Sequence, residues 1–597
     1  QAPPVRRAGD PPGSSSTVTL TRRNTRRIIT PTEGERASPW NHDMAVGLQA
    51  SCFSPGKASR AEVDWTRPGR AHLVGIGGSG MRALARVLSQ RGWSVSGSDV
   101  ATAGLAAVLP KKTLLSTGHS ALGLPRNLDV VVHSDAIGSD NPELQWARSL
   151  GVATASYFDA VGQLMHRRRG LAVAGTHGKS TTTAMAAWIL VQSGYDPTIL
   201  CGAATLGRSD GGRAGRSPVV LAEACEYRAN FLKLRPRSAV ILGIEPDHFD
   251  CYADLAEAEH AFGQFAAAIP HDGLLLARAD CEATRRAIAG ATCRVETFGV
   301  IGQTPRASRP GFGTGRASGT HTSYPTDAPL PTAYCPLPTA CDWSARPIDR
   351  RRGRYRFELL RRGRVLCRLA LRMAGRHNML NALAAAALAA HQGVEPRQIA
   401  DALGRFPGVR RRLEPVGTWR GVRVVDDFAH HPTELTAALT TVHQMHPDRR
   451  VCCVFQPHQV SRTTRLLDEL AESLHNGLRG RRGPRRGDRL WIAEIFRARE
   501  PGPAPGEVTS ADLADRVRDR GHEVAGVHAI DDIRRDLRHH LQSGDVLLTI
   551  GAGDIRRILG GLFPAEDRKV SSLSDLRHNR MFPSCFRVNA DKLHSMR

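Results

Sequence analysis

The chain has 597 residues, 41% of them hydrophobic, enough for three or four domains with sizeable cores. No uninterrupted apolar run reaches membrane-spanning length, and the polar, Arg/Thr/Pro-rich N-terminus lacks the apolar stretch of a secretory signal. The net charge of +25 first suggests a nucleic-acid binder, but residues 1–70, 302–370, 476–490 and 565–597 together carry +22 of it, which places the excess in solvated tails and Arg-rich inserts and argues against that partner.

Residues 1–70 read as an unstructured tail, and a first residue of Gln rather than Met fits truncation or processing alike. From there the pattern alternates. Ala71–Gly75 reads as a strand, Gly80–Arg91 as a helix and Trp93–Ser98 as a strand. Leu171–Ala174 is a further strand, followed by a helix through Leu190, then strands at Val219–Ala222 and Ala239–Ile244. Gln303–Asp349, rich in Pro, Thr, Ser, Gly and Arg, reads as a long loop or insert, and Asn476–Asp488 as a Gly/Arg tract of the same kind. Val451–Phe455 and Asp545–Ile550 are the last buried strands. Strands alternating with helices predict parallel sheets in an α/β protein. The expected divisions are a tail 1–70, a Rossmann-like domain 71–165, a central domain 166–410 with insert 303–349, a C-terminal Rossmann-like domain 411–563 with insert 476–488, and a tail 564–597. Twelve cysteines are scattered without CxxC spacing, which argues against a zinc ribbon or a secreted disulfide framework and for the cytoplasm.

Three motifs carry chemistry. Gly75, Gly77, Gly78, Gly80 and Met81 lie between a strand and a helix, with Asp99 closing the next strand. Such a turn presents helix N–H groups to a phosphate, and on its own it fits a nicotinamide or flavin enzyme equally well. Gly175-Thr176-His177-Gly178-Lys179-Ser180-Thr181 follows a strand and opens a helix, a shortened relative of the P-loop. Its backbone is expected to cradle the phosphates of ATP, with Lys179 on the β/γ oxygens and the Ser180 hydroxyl on Mg²⁺. Glu223-Ala-Cys225-Glu226 and Glu245-Pro-Asp247-His248 follow two further strands, where carboxylates and an imidazole can hold divalent cations beside phosphates.

These motifs continue in order with GRHNMLNALAA (Gly375–Ala385), FPGVRRRLE (Phe406–Glu414), VVDDFAHHPTE (Val424–Glu434), FQPHQVSRT (Phe455–Thr463) and GAGDI (Gly551–Ile555), and the whole series resembles the Mur ligases over roughly residues 71–563. Within that family it is most similar to the members that join L-alanine to UDP-N-acetylmuramate. The resemblance implies three domains, binding UDP-sugar, ATP and, with the last, the amino acid. It implies a reaction in which ATP phosphorylates the substrate carboxylate and the amine displaces phosphate from the acyl phosphate. It assigns the Gly75–Met81 turn and Asp99 to the UDP-sugar. It makes Lys179, Glu223, His248, His458 and Arg462 catalytic, with Ser180, Glu223 and His248 holding metal. His377, Asn378, Asn381, Arg411 and Asp427 join Gly175–Thr181 in binding ATP, and His431, His458 and Arg462 surround the amino acid. Gly243, Cys225 and Ser180 depart from the family's usual residues. The alternatives are a recycling ligase that attaches a tripeptide to the same sugar, and a non-catalytic UDP-sugar-binding relative.

Overall fold

The structure, a computed structural model, describes residues 63–207, 211–301, 341–479 and 487–562. All of them belong to the unit formed by residues 60–597. Three sheets organise it. The first is wholly parallel and runs, in spatial order, Leu114–Thr117, Ser94–Asp99, Arg70–Val74, Val130–His133 and Ala153–Ser156. Its central strand is buried from Ala71 to Val74, as a strand covered on both faces must be. The helix Ser79–Gln90 lays Met81, Leu84, Val87 and Leu88 against it.

The second sheet holds the phosphate loop. Its parallel core runs Leu274–Arg278, Ser238–Ile241, Arg169–Ala174, Val219–Glu223 and Thr198–Leu200. The strand leading into the loop is therefore central, and the carboxyl ends of its two neighbours open beside it, where such sheets bind ligands. The loop's helix, Lys179–Gln192, packs on the helix Arg376–Ala390. Beyond Asn381 the latter is apolar all round, with Ala382 and Ala384–Ala387 fully buried, and small side chains let the two backbones approach closely. The third sheet runs Glu414–Trp419, Val422–Asp427, Val546–Ile550, Val451–Phe455, Arg489–Ala493 and Val524–His528, parallel except at its first strand. Separate apolar clusters cover its two faces. No helix among the described residues is long and apolar enough to cross a membrane.

Three expectations are corrected. Trp343–Arg351, read as the end of a low-complexity loop and solvated Arg-rich sequence, is a strand, and it continues through Arg354–Arg361 and Arg364–Ala374 as an antiparallel extension of the central sheet. The buried Trp343 anchors it, donating from its indole to Glu296 at 2.7 Å. Residues 302–340 lie outside the described residues. In the second insert the helix Leu467–Arg479 runs through residues 476–479, and the Asp488 carboxylate accepts from the Val451 N–H at 2.7 Å, while 480–486 lie outside. At the N-terminus the tail reading fails at Trp65, which is buried and stacks on Trp93 with ring centres 5.6 Å apart; residues 1–62, like 563–597, lie outside.

Candidate functional site

The first glycine turn is built on its own carboxylate. Gly75 has φ +77°, and the Gly77 N–H donates to Asp99 Oδ2 at 2.8 Å. A Cβ at Gly77 would stand 2.7 Å from that oxygen, so only glycine closes the turn. Asp99, assigned by resemblance to the UDP-sugar, thus has one oxygen committed to the loop and the other accepting from the Ala101 N–H. A Cβ at Gly80 would meet the Tyr157 ring at 3.0 Å, and Met81 is buried beneath. Gly78 precedes the helix as its N-cap residue.

The phosphate loop is similarly constrained. Gly178 caps the helix Lys179–Gln192 at φ +82°, where a Cβ would come 2.4 Å from Asn381 Oδ1. Gly175 (φ +127°) has Leu242 in the way of any side chain. Thr176 is tied to the next strand's end, its N–H donating to Gly243 O at 2.9 Å and its hydroxyl accepting from the Glu245 N–H at 2.9 Å. Gly243 itself has φ +143°, a backbone state that favours glycine at this position. Thr181 is buried inside the helix's first turn.

Around this loop the structure gathers most of the expected residues into pairs. Lys179 Nζ donates to Gly175 O (2.7 Å), Thr176 O (3.1 Å) and Glu226 Oε1 (2.8 Å). Burial alone would lower the ammonium's pKa, but Glu226 outweighs it and raises it. His248, itself in the left-handed region at φ +55°, brings Nε2 to 3.5 Å from the same Glu226 oxygen. The Ser180 hydroxyl donates to Glu223 Oε1 at 2.7 Å, and Glu223 Oε2 accepts from the Gly202 N–H at 2.8 Å. Cys225 is a half-buried thiol whose pKa is pushed up to about 12 by desolvation and Glu226, so it stays protonated between the two glutamates.

The third sheet closes this region from the other side. Arg462 is 3% exposed, and its Nε donates to Asp247 Oδ1 at 2.8 Å across 215 residues of chain. Burial pushes the Asp247 carboxyl up, but Arg462 holds it well below the usual carboxylate range. Arg462 also donates to the His458 carbonyl at 3.1 Å. His458 lies 5.6 Å, ring centre to ring centre, from His430, and burial holds both imidazoles neutral, down to about 3 and about 4. His431 caps the helix Pro432–Met445 and packs on His177, with Glu245 between them.

Some expected partners sit otherwise. Arg411 turns to the carbonyls of Gly551 and Gly553, to Asp426 and to the Phe428 ring, whereas Asp427 accepts from the Leu413 and Ala429 N–H groups. Burial raises the Asp427 carboxyl to about 6. Asn378 is bound back to Ala374 O, and Asn381 donates to Asn378 Oδ1 while abutting Gly178. His377 is held neutral, at about 4, by burial and Arg412. Sequence reasoning placed Glu226 and Asp247 only among clusters able to hold cations and named no role for His430 or Glu434, although all four stood inside the motifs it quoted; their tertiary partners single them out.

Three family descriptions match in chain order: "Mur ligase family, catalytic domain" over residues 70–169, "Mur ligase middle domain" over 173–309 and "Mur ligase, glutamate ligase domain" over 411–553. The UDP-N-acetylmuramate–L-alanine ligase of Clostridium novyi is 36% identical over 491 residues, 82% of this chain and 96% of its own. The chain belongs to the Mur ligase family. Its similarity to the enzyme of the same description from Salinibacter ruber is also 36%, over 82% of this chain and 93% of that one. Among solved Mur ligase structures, the UDP-N-acetylmuramate–alanine ligase of Thermotoga maritima superposes with TM-score 0.62 at 24% identity, covering 83% of this chain and 99% of that one. A murein peptide ligase from Psychrobacter arcticus follows at TM-score 0.57 and 23% identity, covering 83% and 98%. These two establish the shared Mur ligase fold.

Proposed function

We propose that this protein is an ATP-dependent ligase that joins the carboxylate of UDP-N-acetylmuramate to L-alanine, a cytoplasmic step of peptidoglycan precursor synthesis. One observation carries the reading. At Gly202 the two nucleotide loops meet: a Cβ there would lie 2.9 Å from Glu223 Oε2 and 3.6 Å from Ser79 Oγ. Ser79 opens the helix after the first glycine turn, and Glu223 pairs with the phosphate-loop serine. A UDP-sugar held by the first loop and an ATP held by the second therefore face each other across Glu223.

The donors around that point fit Mg²⁺. Ser180 Oγ and Glu223 Oε1 are hard oxygen ligands 2.7 Å apart, and Glu226 Oε2 is buried with no hydrogen-bond partner. His248 stands beside Glu226 for a second ion. When bound, the metal neutralises phosphate charge as a Lewis acid. Lys179 does the same from the chain itself, moving from the loop carbonyls to the γ-phosphate oxygens. The sugar's carboxylate oxygen then attacks phosphorus and ADP leaves, giving an acyl phosphate. Alanine's nitrogen attacks the acyl carbon, loses a proton, and phosphate departs as the amide forms. His430, neutral at pH 7 with Nδ1 donating to the Phe428 carbonyl, offers its Nε2 lone pair to the incoming amine, whereas His458, whose Nδ1 accepts from Arg462, presents an N–H. Arg462 can take alanine's carboxylate in its fork, provided that carboxylate joins or displaces Asp247.

Phosphate release tests this. The parent protein with ATP, Mg²⁺, UDP-N-acetylmuramate and L-alanine should release phosphate, and Lys179→Ala should slow it at least about 100-fold. No sugar-dependent release from the parent would overturn the reading and favour a non-catalytic UDP-sugar-binding relative.

A further inference from the structure

We propose that His177, Glu245 and His431 form a transition-metal site that clasps the phosphate loop to the C-terminal domain. Each residue contributes one ligand atom, and the three atoms lie within 4.8 Å of one another. Glu245 Oε2 is 3.4 Å from His177 Nε2 and 3.7 Å from His431 Nδ1. Ligands at zinc's usual 2.0–2.1 Å make the edges of a tetrahedron roughly 3.3 Å long, so the two Glu245 edges need to close by only a few tenths of an ångström and the edge between the imidazoles by at most about 1.5 Å to seat the ion.

The tautomers point the same way. His431 Nε2 lies 3.1 Å from Pro246 O, a carbonyl that can only accept, so Nε2 carries the proton. The Thr433 N–H donates to Nδ1 over a long 3.4 Å, so that nitrogen holds a lone pair; it lies 3.7 Å from Glu245 Oε2, and an ion between the two would take the lone pair over from this cap. His177 repeats the arrangement: Nδ1 faces Glu434 Oε1 at 3.3 Å, while Nε2 is buried with no aligned hydrogen bond, beside the Glu245 carboxylate. Outward nitrogens held by a carbonyl and a carboxylate are how proteins orient metal-binding imidazoles. Thr433 Oγ1 fixes the carboxylate in turn, donating to Glu245 Oε2 at 2.6 Å. With His431 Nδ1 released from its long cap, two imidazole nitrogens and a carboxylate oxygen would face one another, and a divalent metal would hold them with three bonds.

Two imidazoles and one carboxylate select zinc, cobalt or a neighbouring metal over magnesium, unlike the oxygen donors of Ser180 and Glu223. The ligands come from three places: the phosphate loop, the loop after strand Ser238–Ile241, and the cap of the helix Pro432–Met445. A bound ion would therefore tie the C-terminal domain to the nucleotide loop without nucleotide present, leaving a fourth position for water. The site stands independently of the reaction proposed above, and its test needs no turnover.

Metal-free full chain, without nucleotide and in excess Mg²⁺, is dialysed against Zn²⁺ or Co²⁺, and bound metal is counted by mass spectrometry. The expected result is one retained ion per chain, a four-coordinate cobalt absorption spectrum, and binding weakened at least about tenfold in His431→Gln and Glu245→Gln variants shown to be folded by circular dichroism. X-ray absorption of the zinc-loaded parent gives a reading independent of the variants, with nitrogen and oxygen neighbours expected. No retention in Mg²⁺, unchanged binding in both variants, or sulfur neighbours from the chain's thiols would each overturn the proposal.

Discussion

His446 shows how one buried side chain sets a pH dependence. It is 8% exposed, and burial together with Arg423, Arg449 and Arg352 brings its imidazole down to about 4 from an ordinary 6.5. The unfolded chain binds a proton near 6.5 and the folded chain does not, so between pH 6.5 and 4 the fold holds fewer protons. Stability contributed here is complete above 6.5 and is lost as the pH falls toward 4, by up to about 1.4 kcal/mol per pH unit. Denaturant melts across that window should show a shallower acid slope for His446→Gln than for the parent; equal slopes would contradict the assignment. At this scale the candidate site divides by how its residues were recognised. Lys179 and Ser180 were legible because their chemistry is written in consecutive residues between a strand and a helix. Glu226 and Asp247 were legible only as members of acidic clusters able to hold cations; their pairings were not, because each partner lies far along the chain, Lys179 for one and Arg462 for the other.

Among the elements, the phosphate loop is the most exacting. Gly178 combines a left-handed backbone with an Asn381 oxygen where a side chain would go, and so ties the loop's shape to the helix Arg376–Ala390. Gly178→Ala should cost roughly 1–2 kcal/mol from backbone alone. The added methyl must also push Asn381 away, so the KM for ATP should rise by an order of magnitude or more. Steady-state kinetics over an ATP series, with thermal melts alongside, would check both; an unchanged KM would show that the loop tolerates the shift. The parallel strands around this loop were legible because buried strands are short apolar runs. The antiparallel extension was not. Its outer face is arginine, and its strand Trp343–Arg351 follows a Pro- and Ser-rich stretch that masks the alternation. What holds it is the buried Glu296, bonded to Trp343 and facing His391 at 2.6 Å, a set that no local pattern reveals.

Across the whole molecule, the three sheets converge on one region through contacts between distant segments. Asp247 and Arg462 form a buried pair between the central and C-terminal sheets, and Glu245 meets His177 and His431 beside it. Breaking such a pair by removing one partner exposes an uncompensated charge, which makes the cleft costly to assemble wrongly. The order of motifs along the chain foreshadowed this convergence only through family resemblance, since spacing alone does not say which loops meet. On the proposed reading, the choice of nucleophile is made in this same cleft, between His430, His458 and Arg462. The most direct test offers the purified protein ATP, Mg²⁺ and UDP-N-acetylmuramate with L-alanine, glycine, L-serine or the tripeptide, and identifies the products by mass spectrometry. The account predicts an amide product with L-alanine formed at the highest kcat/KM of the panel; a marked preference for the tripeptide would contradict it and assign the protein to recycling.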